Sequence, residues 1–120
     1  MKKKTLVMGA SDNPERYSYL ATEKLKAYNH EVIAFGRKAG NIGDTTITTE
    51  FPTVNDIDTV TLYLNPTAQK EYYQTILQLH PKRIIFNPGT ENDELFDLAK
   101  ANGIKPLEAC TLVMLSTGQY

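Results

Sequence analysis

The sequence TLVMGAS at residues 5–11 is a short apolar run that ends in three small residues. Such a run is typical of a buried β-strand, and small residues directly after a strand let the backbone turn tightly. Further along the chain, similar apolar runs alternate with segments of helical period. This alternation predicts a parallel α/β sheet with helices on both faces.

The remaining elements extend this pattern through the whole chain. We predict further strands at 31–35, 59–64, 83–86 and 104–107, and one short edge strand near Ile47 accounts for the sixth of five or six strands. The spacing in the first helix predicts an inward stripe made of Tyr17, Leu20, Ala21, Leu25 and Tyr28. Thr67 is predicted to cap the helix that follows the 59–64 strand. The expected fold is a single Rossmann-like domain over residues 1–120, with five or six mostly parallel strands.

Length and composition exclude several classes of protein. A chain of 120 residues fits one domain and leaves no room for a separate substrate domain. The net charge of −1 disfavours a general nucleic-acid binder. Cys110 is the only cysteine, which excludes an internal disulfide and a Cys-rich metal site. No apolar run reaches membrane-spanning length and no secretory segment is visible, so we expect a cytoplasmic protein without membrane contact.

The turns that follow the strands are expected to share one rim of the sheet, where open α/β sheets bind ligands. They lie at residues 9–11, 36–38, 65–67, 87–89 and 109–110. His30 and His80 lie in turns that return from a helix to a strand, so they are expected at the opposite edge. No catalytic triad or metal-ligand spacing is visible, and the sequence therefore favours a protein that is not an enzyme.

The first turn, at Gly9, Ala10 and Ser11, is suited to phosphate, because small residues let the backbone approach an anion at a helix amino terminus. It is not the common dinucleotide fingerprint, which would place glycine where Ser11 and Pro14 stand. The hydroxyl of Ser11 is able to donate to a phosphate oxygen instead.

The second turn carries the basic pair Arg37 and Lys38 after Gly36. NAD-binding sheets place an acidic residue here for the ribose hydroxyls. A basic pair favours a ligand with an additional phosphate, such as NADP or coenzyme A, unless both charges are simply solvated.

Three later features each allow two interpretations. Phe51 and Pro52 could form an apolar wall against an adenine ring or pack in the core. The turn of Asn65, Pro66 and Thr67 could meet a pyrophosphate or only turn the chain. Cys110 follows the last strand on the ligand rim, where it could be a reactive thiol or a small buried apolar residue.

Taken together, these residues resemble the CoA-binding domain family, small Rossmann-like proteins similar to the amino-terminal domain of the succinyl-CoA synthetase alpha subunit. The resemblance covers nearly the whole chain. It is carried by Val7-Met8-Gly9-Ala10-Ser11, Arg16-Tyr17-Ser18, Phe51-Pro52-Thr53, residues 84–90 (IIFNPGT) and residues 110–115 (CTLVML).

The resemblance implies a set of contacts with coenzyme A. Gly9, Ala10 and Ser11 would line the phosphates, with Arg16 and Ser18 close by. The turn of Gly36, Arg37 and Lys38 would meet the 3′-phosphoadenosine, Phe51 and Pro52 would flank the nucleotide, and Asn65, Pro66 and Thr67 would lie beside the pyrophosphate or pantetheine. The synthetase uses a phosphorylated histidine from another domain, which this chain lacks. The family's more common Asn-Pro turn after strand two is also replaced here by Gly36-Arg37.

The sequence therefore predicts non-catalytic binding of coenzyme A or an acyl-CoA, a small-molecule nucleotide ligand. Two alternatives stay open: a fragment of an NADP-linked oxidoreductase, and a Rossmann-like interaction module with an empty rim. Neither the acyl group nor a protein partner follows from the residues.

Overall fold

A computed structural model describes residues 2–120 of the chain. Within them, seven strands form one sheet in the order β3-β4-β2-β1-β5-β6-β7, and only β3 runs antiparallel to its neighbour. The strands are β1 (Thr5–Met8), β2 (Val32–Phe35), β3 (Gly40–Ile42), β4 (Thr45–Thr48), β5 (Thr59–Leu62), β6 (Arg83–Phe86) and β7 (Lys105–Glu108). The helices are α1 (Tyr17–Ala27), α2 (Pro66–Gln69), α3 (Tyr73–Leu79), α4 (Asp93–Ala101) and α5 (Thr111–Ser116), with a 3₁₀ turn at Lys70–Tyr72 between α2 and α3.

The central strand β1 is buried along its whole length because helices cover both faces of the sheet. Its side chains alternate between two cores. Leu6 and Met8 pack with Ile76 and Leu95, which belong to α3 and α4. Val7 packs in the other core with Leu25 of α1 and Leu115 of α5. Because successive side chains of a strand point to opposite faces and both faces of β1 are buried, the strand is apolar at every position but one.

The order of the strands places a reversal of winding between β1 and β5. From β1 the chain moves outward to β2 and then to the β3–β4 hairpin, and it returns to build β5, β6 and β7 on the other side. In sheets of this kind, a crevice forms beyond the carboxyl ends of the strands at the reversal.

The predicted fold class is confirmed, and the sheet has seven strands where the sequence predicts five or six. The predicted short strand near Ile47 is β4, and the additional strand is β3, which forms the edge of the sheet in a hairpin with β4. β4 also pairs in parallel with β2. Only Ile42 and Ile47 are buried in this hairpin, so its apolar signal is weak.

The predicted inward face of α1 is correct for Ala21 and Leu25 and wrong for Tyr17, Leu20 and Tyr28. Tyr17, Leu20 and Tyr28 are exposed, while the buried residues are Ser18, Ala21, Thr22 and Leu25. The helix packs small and hydroxylated residues against the sheet. Thr22 can be buried there because its hydroxyl donates a hydrogen bond to the Ser18 carbonyl of the same helix at 2.9 Å.

The predicted cap of α2 lies two residues after the observed one. Asn65 caps this helix, since its Oδ1 accepts a hydrogen bond from the Ala68 N–H at 2.8 Å. Pro66 occupies the first helical position, where its fixed φ and missing N–H are favourable. Thr67 is therefore already inside the helix.

Candidate functional site

A cleft of about 910 Å³ lies beyond the carboxyl ends of β1, β5 and β6. It is formed mainly by the turns that leave these strands, by the start of α1 and by the turn after β2. The lining residues are Gly9, Ala10, Ser11, Asp12, Glu15, Arg16, Tyr17, Ser18, Arg37, Lys38, Tyr63, Leu64, Asn65, Ala68, Pro88, Gly89 and Thr90.

The floor of the cleft depends on two glycines that allow close backbone contacts. Gly9 has a φ of +92°, and a Cβ there would lie 2.9 Å from the carbonyl carbon of Tyr63. At Gly36 a Cβ would lie 2.3 Å from the carbonyl oxygen of Ala10. The N–H groups of Gly9 and Ala10 both donate to the Phe35 carbonyl at 2.9 Å. The turns after β1 and β2 are therefore packed directly against each other.

The amino terminus of α1 opens into this cleft without a capping side chain. Arg16 occupies the N-cap position with extended backbone and makes no side-chain cap. Among residues 2–120, no acceptor is found for the N–H groups of Tyr17, Ser18 and Tyr19. The first turn also contains no acidic residue, so no carboxylate within the helix compensates the partial positive charge of its end.

The helix that follows β6 shows the opposite arrangement. Asn92 caps α4 through its Oδ1, which accepts from the N–H groups of Glu94 and Leu95 at 3.1 and 3.3 Å. Asp93 and Glu94 lie in the first turn and oppose any anion there. The end of α1 is therefore better suited to an anion than the end of α4.

Charged side chains of both signs surround the cleft. Arg16, Arg37 and Lys38 are the cations, and Asp12 and Glu15 are the anions. Within the described part of the chain, none of the three cations takes part in an ion pair. A local excess of cationic groups is thus available to a ligand despite the negative net charge of the molecule.

The structure brings most of the predicted binding residues together. Those that line the cleft are Gly9, Ala10, Ser11, Arg16, Ser18, Arg37, Lys38 and Asn65. Gly36 lies beneath the Ala10 backbone instead of in the lining. Pro52, Pro66 and Thr67 are also outside it.

Phe51 lies in an aromatic cluster away from the cleft lining. Its ring meets Phe35 edge-on at 5.4 Å between centroids and stacks on Tyr72 at 6.1 Å. It packs against the core on the α3–α4 side of the sheet.

Sequence reasoning did not select several lining residues. Pro88 and Gly89 follow β6. The sequence predicts their turn on the ligand rim, where the structure places it, but it does not predict either residue as a binding residue. Tyr17 was assigned to the core, and only the observed face of α1 reveals it at the cleft. The predicted strand at 59–64 ends two residues earlier in the structure, at Leu62, so Tyr63 and Leu64 both lie in the turn that lines the cleft.

The hydroxyl of Tyr63 is a further unexpected feature. Tyr63 lines the cleft, while its hydroxyl oxygen is buried and has no hydrogen-bond partner among residues 2–120. Burial raises the pKa of this phenol, and the nearby Thr61 hydroxyl opposes the shift only partly. Tyr63 is therefore a neutral side chain at every physiological pH.

Neither histidine nor the cysteine lines the cleft. His30 lies at the amino ends of the strands, where its Nδ1 accepts the Lys3 N–H at 2.9 Å. His80 is exposed in the turn before β6, on the same side. Cys110 is half-buried at the start of α5. Over residues 2–120, no group of three His, Cys, Asp or Glu side chains is arranged to hold a metal ion.

No helix in the described segment, residues 2–120, combines the length and apolar character needed to cross a membrane.

Comparison with known proteins gives one family and several structures. A family sequence model described as "CoA binding domain" matches residues 3–116. A crystal structure of a protein described as uncharacterized is 52% identical, covers 100% of this chain and 99% of its own, and has a TM-score of 0.98. A hypothetical protein from Pyrococcus horikoshii OT3 is 22% identical, with 97% and 83% coverage and a TM-score of 0.87.

A more distant structure is the aspartate dehydrogenase from Thermotoga maritima. It is 18% identical and has a TM-score of 0.60, and the match covers 89% of this chain and 45% of that one. This likeness shows the fold alone. Among curated proteins, none matches the sequence.

Proposed function

The chain belongs to the CoA binding domain family, and from this premise we propose that it binds coenzyme A or an acyl-CoA in the cleft and performs no catalysis of its own. The observation that carries the proposal is the uncapped end of α1, with its three unpaired N–H groups and the neighbouring basic side chains. An anion with several phosphates fits such a site.

The diphosphate of the ligand is assigned to the turn after β1 and the first turn of α1. There the N–H groups of Tyr17, Ser18 and Tyr19 are available as donors. The Ser11 oxygen already accepts the Asn13 N–H at 3.1 Å, and this leaves its proton free for a phosphate oxygen. Arg16 adds a positive charge at the same helix end.

The 3′-phosphate is assigned to Arg37 and Lys38. Both are exposed and unpaired in the described chain, and both line the cleft on the side of β2. The pantetheine arm would then extend in the other direction, past Asn65 towards Pro88 and Gly89. Contacts from Phe51, Pro52, Pro66 and Thr67 stay predictions of the family resemblance.

Calorimetric titration with CoA, dephospho-CoA and NADPH tests this assignment. We expect Arg37→Ala/Lys38→Ala to weaken CoA by roughly tenfold or more, because charge-assisted phosphate contacts are lost. Dephospho-CoA should be affected much less, since it lacks the 3′-phosphate. Lys100→Ala/Lys105→Ala is the matched control, as it removes the same charge from exposed positions outside the cleft.

Other results would contradict the proposal in different ways. Equal losses for CoA and dephospho-CoA would place the 3′-phosphate elsewhere. Tighter binding of NADPH than of CoA would favour an oxidoreductase-like fragment. If no adenine nucleotide raised the melting temperature, an interaction module without a nucleotide would be favoured, since a ligand at 100 times its Kd adds about 2.7 kcal/mol of stability.

A further inference from the structure

Gln69 is a fully buried amide next to the cleft. It lies at the end of α2, is 0% exposed and is not part of the cleft lining. Its Nε2 donates to the Leu64 carbonyl at 2.8 Å and to the Thr90 carbonyl at 2.9 Å. Its Oε1 accepts from Asn92 Nδ2 at 2.9 Å. We call the two bonds from Nε2 the amide bridge.

The amide bridge joins the two turns that form one side of the cleft. Leu64 lies in the turn after β5 and Thr90 in the turn after β6, and both line the cleft. The two strands pair as far as Leu62 and Phe86. Beyond that pair, no backbone hydrogen bond joins residues 63–65 to residues 87–90 in the described chain. Gln69 is therefore the polar link between the two turns beyond the ends of the strands.

The chemistry of an amide suits this position. One nitrogen carries two donors in a rigid plane, and the oxygen of the same plane is an acceptor. Asn92 fixes the orientation of the plane, because its Nδ2 donates to Gln69 Oε1 and also to the Tyr73 hydroxyl at 2.8 Å. Core packing alone does not require such a group, since an apolar side chain of similar length brings no polar atoms that must be satisfied.

We propose that Gln69 is a positioning residue that sets the width of the cleft between the turns after β5 and β6, and with it the fit of the pantetheine arm of coenzyme A. This inference rests on the proposed function, which directs the arm past Asn65 towards Pro88 and Gly89, between the same two turns. The phosphates are assigned to the other side of the cleft, at the start of α1 and after β2. Gln69 should therefore act on pantetheine and not on the phosphates.

Calorimetric titrations with CoA and with adenosine 3′,5′-bisphosphate test the inference. The bisphosphate keeps the 3′-phosphate and a 5′-phosphate but lacks pantetheine, so the wild type should bind CoA more tightly. Gln69→Met keeps the length of the side chain and removes the amide bridge. It should weaken CoA roughly tenfold and the bisphosphate less than about twofold.

A milder variant tests the same point if Gln69→Met does not fold. Asn92→Asp keeps the cap of α4, because an acceptor oxygen is retained, and removes the donor to Gln69 Oε1. It should weaken CoA about threefold and leave the affinity for the bisphosphate unchanged.

Thr5→Val is the matched control for a loss of stability alone. Thr5 is buried at the opposite edge of the sheet, where its hydroxyl donates to the Lys3 carbonyl at 3.0 Å and bonds to the Tyr120 hydroxyl at 2.6 Å. The variant should lower the free energy of unfolding in urea and leave the ratio of the two affinities unchanged.

The possible outcomes separate this inference from the proposed function. If the folded Gln69 or Asn92 variant weakens both ligands equally, or leaves the affinity for CoA unchanged, the inference is overturned. Equal affinities of the wild type for CoA and the bisphosphate also overturn it, as does an equal change of the ratio in Thr5→Val. In each of these cases CoA still binds and the proposed function stands. If the wild type binds neither ligand, the proposed function fails and the inference with it.

Discussion

Asn87 connects three elements beneath the cleft. Its amide nitrogen donates to the Thr61 hydroxyl at 2.7 Å and to the Leu62 carbonyl at 2.9 Å, and its Oδ1 accepts the Thr111 N–H at 2.9 Å. The hydroxyls of Thr61 and Thr111 also bond to each other at 2.8 Å. This buried network satisfies the ends of β5 and β6 and the start of α5, and it leaves the Tyr63 hydroxyl without a partner in the part of the chain that the structure describes.

Removing that hydroxyl should not weaken the protein. An unpaired buried polar group costs about 1–3 kcal/mol, so Tyr63→Phe should leave the free energy of unfolding unchanged or raise it by up to about 1 kcal/mol. Tyr120→Phe is the comparison, because the Tyr120 hydroxyl bonds to the Thr5 hydroxyl at 2.6 Å, and its loss should cost about 1 kcal/mol. Urea unfolding measures both. A loss in Tyr63→Phe as large as that in Tyr120→Phe would show that the Tyr63 hydroxyl is paired in solution.

At the level of elements, α1 has an amino terminus that is unfavourable for the stability of the folded chain, because no side chain caps it. An Asn or Ser at its N-cap would satisfy the open N–H groups, as Asn65 and Asn92 do for α2 and α4. Arg16 stands there instead, and its side chain makes no cap. Open donors at one helix end are consistent with a ligand that supplies the missing acceptors.

This conflict predicts opposite effects on stability and binding. Arg16→Ser should stabilise the ligand-free protein by about 0.5–1 kcal/mol, because the new hydroxyl caps α1. It should weaken CoA at the same time, since the cap competes with phosphate and a charge is lost. Arg16→Ala is the control, because it removes the charge without adding a cap. Thermal unfolding and calorimetry compare the variants, and CoA affinity equal to that of the wild type in both would remove this helix end from the site.

The same element marks the limit of what the sequence predicts. The strands with uninterrupted apolar residues and the rim on which their turns lie follow from period and topology, so the cleft could be located in advance. The sequence could not predict which face of α1 is buried, because exposed tyrosine and leucine residues at helical spacing show the same pattern as a buried face. The edge strand near Ile47 is predicted and is β4, whereas β3 is not predicted, since it buries a single isoleucine among glycine and asparagine. Side-chain directions, which place Tyr17 and Tyr63 at the cleft, depend on packing that a local pattern does not contain.

On the scale of the whole molecule, the two rims of the sheet are built differently. The carboxyl rim carries the cleft, which is lined by three cationic and two anionic side chains. At the amino rim, Tyr120 packs against elements from across the chain: its ring lies 4.3 Å from the Arg83 guanidinium carbon and 5.0 Å from the His30 ring. Lys3 reaches the Tyr120 carbonyl through its ammonium group. The first and last segments of the chain therefore meet at the edge opposite the cleft.

We expect His30 to make the stability of this rim sensitive to pH. Burial lowers the pKa of His30 below its ordinary value of 6.5, and the positive charges of Lys2 and Lys3 lower it further. As the pH falls below about 6.5, His30 takes up its proton in the unfolded chain before it does so in the folded chain. The free energy of unfolding should therefore fall with the pH in this range. Above pH 7.5 it should not depend on His30. Protonation would also remove the Nδ1 acceptor of the Lys3 N–H. His30→Gln keeps a neutral acceptor and should reduce the loss of stability between pH 7.5 and 5.5 in urea unfolding. Equal losses in the variant and the wild type would assign the pH dependence to other groups.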